Sequence, residues 1–148
     1  MPHGRLALVG LALFAVALVG AGCGLLGGDD ESIDGTWVVV EIDGQPIVRG
    51  ENTVSDPFVE IADGAMVGDL GCNEAVVPVV VDEDDLVPGA LAMSELRSCR
   101  PTALAFADNA MLDVLRSTRI GLTLEDGRMV WVAAGRQIIL TEATEPPP

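Results

Sequence analysis

The sequence predicts a mainly β domain, a strongly curved antiparallel sheet or small barrel with one α-helix packed on it. Three observations carry this. Short β-branched runs alternate apolar and polar residues along most of the chain. Asp-Gly joins such runs three times, at Asp43-Gly44, Asp63-Gly64 and Asp126-Gly127, and this pair is the strongest short-range hairpin signal because the tight turn needs positive φ at both central positions. One segment alone, Thr102–Ser117, changes to helical spacing.

The elements follow in order. Thr36–Ile42 is β-branched and runs into the first Asp-Gly. Phe58–Ala62 alternates and is joined by the second Asp-Gly to Ala65–Val67. Ala75–Val81 and Leu86–Met93 are further strands, with Pro78 and Pro88 marking edges or bulges because proline gives the ladder no N–H. Leu104, Ala107, Met111, Val114 and Leu115 form the apolar face of the helix, while Asp108, Asn109, Asp113 and Arg116 fill the other. Phe106 and Met111 read as core packing rather than as a ligand box, and Arg116 and Arg119 sit where the helix dipole favours cations. Ile120–Leu124, Met129–Ala133 and Gln137–Thr141 complete the sheet. Trp37 and Trp131 lie in predicted strands and read as core; lining a cavity for an apolar ligand is the other reading.

The N-terminus is a separate export segment. Met1–Arg5 carries one positive charge, Leu6–Val19 carries none, and Gly20-Ala21-Gly22 precedes Cys23. A positive start, an apolar middle and a small-residue exit define a secretory signal, here residues 1–22. An uncleaved transmembrane helix is the competing reading of the same run, although glycines lace its end. Val19-Gly20-Ala21-Gly22-Cys23 resembles a bacterial lipobox, which implies a diacylglycerol thioether on Cys23 and a membrane anchor; cleavage without lipid stays open, since Gly20 stands where leucine is preferred. The chain has three cysteines. Lipid on Cys23 accounts for the odd one and leaves Cys72 and Cys99 as a disulfide pair, as export favours. Residues 23–32 form a Gly-rich, then acidic tether, 33–143 the domain, and 144–148 a disordered tail ending in three prolines.

Charge and missing residue types bound the function. The chain of 148 residues holds 23 Asp and Glu against 8 Lys and Arg, for a formal charge of −15, and every basic residue but His3 is arginine. Such a domain does not bind nucleic acid through phosphates and is repelled by anionic headgroups. The only histidine is His3, inside the signal, and there is no lysine or tyrosine. These absences remove Ser-His-Asp and Cys-His catalysis, histidine metal sites and lysine Schiff bases. Asp82-Glu83-Asp84-Asp85 is the densest charge run; as a calcium loop it lacks the EF-hand glycine and distant glutamate, so a solvated hairpin tip is expected.

Gly35-Thr36-Trp37 opening the first strand, Gly71-Cys72-Asn73 after the second hairpin, and Met93 through Cys99-Arg100-Pro101 leading into the helix together resemble the META, or HslJ-like, family of bacterial envelope proteins. The closing hairpins that end in Ile138-Ile139-Leu140 fit as well, so the resemblance covers roughly Ile33 to Ala143. Two departures stand out: Ser94–Ser98 lacks the usual threonine, and Asp108 stands where the family often carries glutamate. The resemblance implies a curved sheet close to a small barrel with one helix, and no catalytic activity. The expected protein is a monomeric cell-envelope lipoprotein with no metal or cofactor, its domain binding or supporting an envelope partner. A carrier of a small apolar ligand and a carboxylate-dependent enzyme acting on envelope glycans are the alternatives.

Overall fold

The computed structural model describes residues 32–47, 56–93, 102–145 and 147. The signal, Cys23, Cys99 and the Ser94–Pro101 stretch lie outside the described residues. The chain divides into two units, Met1–Asp30 and Glu31–Pro148, and every strand and helix described belongs to the second.

Ten strands and one helix occur among the described residues: β1 (Gly35–Ile42), β2 (Gln45–Pro46), β3 (Phe58–Ala62), β4 (Ala65–Asp69), β5 (Glu74–Asp82), β6 (Asp85–Pro88), β7 (Ala92–Met93), α1 (Thr102–Leu115), β8 (Ile120–Glu125), β9 (Arg128–Ala133) and β10 (Arg136–Ala143). All pairings are antiparallel, and β1 pairs with both β3 and β10. That double pairing closes a ring of eight strands, β10-β9-β8-β6-β5-β4-β3-β1; β2 and β7 are short additions on β1 and β5. The expected barrel is therefore closed.

The three Asp-Gly pairs all form hairpin turns, with φ of 51° and 77° at Asp43-Gly44, 52° and 74° at Asp63-Gly64, and 50° and 70° at Asp126-Gly127. A fourth turn of this kind joins β9 to β10 at Ala134-Gly135 (φ 52° and 71°). Here glycine follows an alanine, so the usual Asp signal is missing. Leu86–Met93 is not one strand: β6 ends at Pro88 and β7 resumes at Ala92. Pro78 sits where the open side of β5 passes from β7, paired at Ala75 and Val76, to β6, paired from Val79 onward. Its carbonyl accepts the Gly89 N–H at 2.7 Å. The prolines thus end one partner strand and mark the hand-over between two, which costs the ladder little.

Alternation places one side chain in two inside the barrel. Trp37, Val59, Ile61, Met66, Val77, Leu86, Ile120, Met129, Trp131, Ile138 and Leu140 all belong to the buried core. In β1 the register shifts between Val39 and Glu41, so Trp37, Val39 and Ile42 all turn inward despite their uneven spacing. Gly68 lies in β4 where a Cβ would meet the Phe58 carbonyl at 2.6 Å and Val59 Cγ1 at 2.8 Å. α1 adds Ala107, Ala110, Met111, Leu112, Val114 and Leu115 to the same core. It lies at the end of the barrel formed by the β1–β2, β4–β5 and β9–β10 connections, to which its Asp108 and Asp113 are bonded directly or through Arg136. Phe106 departs from expectation: it is 41% exposed, on the helix face away from the core.

Candidate functional site

The Gly71-Cys72-Asn73 turn links β4 to β5 at the helix-closed end of the barrel. Its own bonds close it: the Leu70 N–H reaches the Asn73 carbonyl at 2.8 Å, and the Gly71 N–H reaches Asp69 Oδ1 at 2.8 Å. Gly71 has φ of 115°, and a Cβ there would stand 2.9 Å from the Leu104 carbonyl of α1. Glycine is thus required twice, for the backbone conformation and for the approach of the helix.

Asp108 is the partner of this turn. Its Oδ1 accepts the Asn73 N–H at 2.9 Å and the Cys72 N–H at 3.3 Å, and its Oδ2 accepts Asn73 Nδ2 at 2.7 Å. The carboxyl is buried, at 6% exposure, with Asn73 at 5% and Cys72 at 6%. A buried carboxylate needs such donors, and two of these are main-chain groups that need an acceptor where they are buried. The family motif and the helix acid are therefore one device that fastens α1 to the barrel. Among the described residues, Asn73 Oδ1 is buried without a hydrogen-bond partner, and so is Trp131 Nε1.

A second fastening lies nearer the β9–β10 turn. Arg136 Nη1 donates to Asp43 Oδ2 at 2.8 Å, its Nη2 reaches Asp113 Oδ2 at 3.3 Å, and its guanidinium stands 5.7 Å from the Phe106 ring centroid. Asp43 Oδ1 also accepts the Gln137 N–H at 2.8 Å. The bonds from Gln137 and Arg136, the main-chain one first, hold the Asp43 carboxyl below its ordinary value of 3.8. The paired carboxylates of Asp43 and Asp113 raise Arg136 in turn. The arginine face over the ring explains why Phe106 can stay at the surface.

The acidic run does form a hairpin tip, between β5 and β6. Arg119 Nη2 meets Asp82 Oδ2 and Arg119 Nε meets Asp85 Oδ2, both at 2.7 Å. An arginine thus stands where a calcium ion would need those oxygens. Arg119 does not act as a helix cation, since α1 ends at Leu115, and it follows Ser117 and Thr118 on the way to β8. Among the described residues no group of three or more His, Cys, Asp or Glu could hold a metal ion. Among them, too, no helix is long and apolar enough to cross a membrane.

Trp131 and Met66 are fully buried and Trp37 is 2% exposed, so no water-sized void borders these large side chains inside the barrel. Trp37 Nε1 donates to the Ile33 carbonyl at 2.8 Å, which ties the chain before β1 across its own strand. Both tryptophans fill space, as the core reading expects.

These features define a class: a small closed β-barrel, capped by one helix, whose buried polar groups knit the fold together. The META domain family model matches residues 30–145, and the chain belongs to that family. Two protein structures solved by NMR share the fold. One is 17% identical with a TM-score of 0.61, over 73% of this chain and 88% of the other. The second, from Burkholderia xenovorans, is 19% identical with a TM-score of 0.60, over 76% and 83%. At such identities the likeness concerns the fold alone. No curated protein matches the chain.

Proposed function

We propose that this protein is a cell-envelope lipoprotein whose META domain binds or supports an envelope protein without catalysing a reaction. Acyl chains on Cys23 hold it at the extracytoplasmic face of the membrane, and Cys72 and Cys99 form a disulfide. The observation that carries the reading is the filled barrel: Trp37, Met66, Met129 and Trp131 occupy the interior with 2% exposure or less. An apolar-ligand carrier needs an interior void, so recognition falls to the outer surface. Beyond the signal the chain offers no histidine, lysine or tyrosine, which leaves catalysis only carboxylates and arginine.

Each part has a physical basis. Several acyl chains give stable anchoring because each buried CH₂ contributes roughly 0.8 kcal/mol. A disulfide from Cys72 closes a loop of 27 positions to Cys99, worth about 3–4 kcal/mol when unstrained. The formal charge of −15 opposes self-association and favours a monomer.

The test is the intact mass of the protein from its own membranes, with and without reduction and thiol alkylation. A diacylglyceryl adduct beginning at Cys23, with both remaining thiols blocked until reduction, is the expected result. A lipid-free mass beginning elsewhere, or thiols that alkylate freely, refutes the anchor or the disulfide respectively.

A further inference from the structure

The ring of strands is closed unevenly. β8 runs beside β9 from Gly121 to Glu125, and β1 beside β10 along most of both strands. β8 meets β6, by contrast, only at Ile120 and Gly121, which face Leu86 and Asp85. One further bond crosses this seam, from the Leu122 N–H to the Asp84 carbonyl at 2.7 Å. Among the described residues it is the shortest ladder in the ring. Strand pairing is stabilised pair by pair, so this ladder is the first to part.

A side-chain latch spans the seam. Arg119 stands just before β8 and gives its Nη2 to Asp82 Oδ2 of β5 and its Nε to Asp85 Oδ2 of β6, both at 2.7 Å. The pairs are half-exposed, where water and salt weaken them. Asp82-Glu83-Asp84-Asp85 sets four carboxylates on one tip, and Glu83 takes φ of 57° there without being glycine. Arg119 therefore brings positive charge to a tip that otherwise repels itself.

The core behind the seam holds an unmet hydrogen bond. Trp131 of β9 faces Leu122 across the β8–β9 ladder, so only β8 stands between Trp131 and the seam. Its Nε1 is buried and has no hydrogen-bond partner among the described residues. A buried donor left unpaired costs free energy that water recovers when the strands part. Leu86 and Ile120 are fully buried where they face each other. Their burial draws the strands together again and keeps the open form a minor one.

We propose that the barrel opens locally between β6 and β8, that Arg119 is the latch of this opening, and that ionic strength governs how often it lifts. The short ladder and its exposed ion pairs supply the weak point, and the Trp131 N–H is the group that the opening hydrates. The opening belongs to the barrel itself and does not depend on the binding role proposed above.

Hydrogen exchange followed by NMR tests it, on the full isotope-labelled chain as isolated from cells in non-ionic detergent. The Leu122 amide and the Trp131 indole N–H are expected to exchange together, with less protection than the ladder amides between β1 and β10. The Trp37 indole N–H, bonded to the Ile33 carbonyl, is the internal reference. Arg119→Gln is expected to lower protection at the two seam groups by about fivefold and to leave the β1–β10 amides unchanged. Arg136→Gln removes the comparable pairs with Asp43 and Asp113 and is expected to leave the seam as it was. Added salt is expected to speed exchange at the seam in the wild type but not in Arg119→Gln. Protection at the seam equal to that between β1 and β10 overturns the proposal. So does an Arg119→Gln variant that changes nothing, or one that weakens every ladder alike and so reports overall stability. An equal effect of Arg136→Gln on the seam, or a seam indifferent to salt, refutes the latch.

Discussion

Asp108 is the side chain whose removal should be felt most widely for its size. Asp108→Ala leaves the Asn73 N–H, the Cys72 N–H and Asn73 Nδ2 without their acceptor in a site where all three residues are buried. Two of the bonds, at 2.9 and 2.7 Å, are short and charge-assisted; such bonds contribute about 1.5–3 kcal/mol each. The third, at 3.3 Å, adds less. Relief of the buried charge offsets part of the sum. A loss of about 3 kcal/mol is expected, roughly a fifth to three-fifths of a typical domain's stability. Urea unfolding followed by tryptophan fluorescence measures it, because both tryptophans lie in the core. Asp108→Asn supplies the comparison. Its amide oxygen can still accept both main-chain N–H groups, and its NH₂ can donate to Asn73 Oδ1, now unpartnered, once the Asn73 amide turns over. It should cost about 1 kcal/mol. If Asp108→Ala costs under about 0.5 kcal/mol, the fastening of α1 to the Gly71-Cys72-Asn73 turn is not what the geometry indicates.

Other perturbations separate causes that a sequence would lump together. Gly68→Ala drives a methyl onto the Phe58 carbonyl and Val59, and should cost about 2–3 kcal/mol in denaturant unfolding. Gly44→Ala meets nothing within 4 Å and carries only the cost of φ at 77°, about 1 kcal/mol. Asp43→Asn keeps the turn and an acceptor for the Gln137 N–H but removes the charge opposite Arg136. The Asp43 carboxyl is held below 3.8 in the folded protein, so its contribution is complete above that value and lost as pH falls through the lower folded one. The stability gap between wild type and Asp43→Asn should close on acidification below 3.8 in thermal unfolding. Trp37→Phe loses a hydrogen bond to Ile33, whereas Trp131→Phe removes a buried N–H that has no partner. The first should cost about 1 kcal/mol more than the second, measured by the same unfolding.

The sequence is most legible where local chemistry dictates geometry. Each Asp-Gly makes the turn it signals, and the alternating runs make strands. The turn at Ala134-Gly135 escapes a sequence reading because alanine gives no warning of positive φ, a conformation imposed there by the pairing of β9 with β10. Phe106 reads as core because apolar residues on a helix usually are. Its place at the surface depends on Arg136, distant in sequence, coming to stand over its ring. Arg119 likewise finds Asp82 and Asp85 only because β6 pairs with β8.

The mainly β class, the single helix and the resemblance to the META family are all present in the linear order of residues, and the family model and the fold agree with them. They rest on local propensity and composition, which need no knowledge of what lies opposite. Folding in three dimensions adds that the sheet closes, that Asp108 is the acceptor for the Gly71-Cys72-Asn73 turn, and that Val67 and Val76 stand opposite each other on one outer face. Closure, buried hydrogen bonding and cross-strand neighbours are set by register between distant segments, and register emerges only when the whole core is packed.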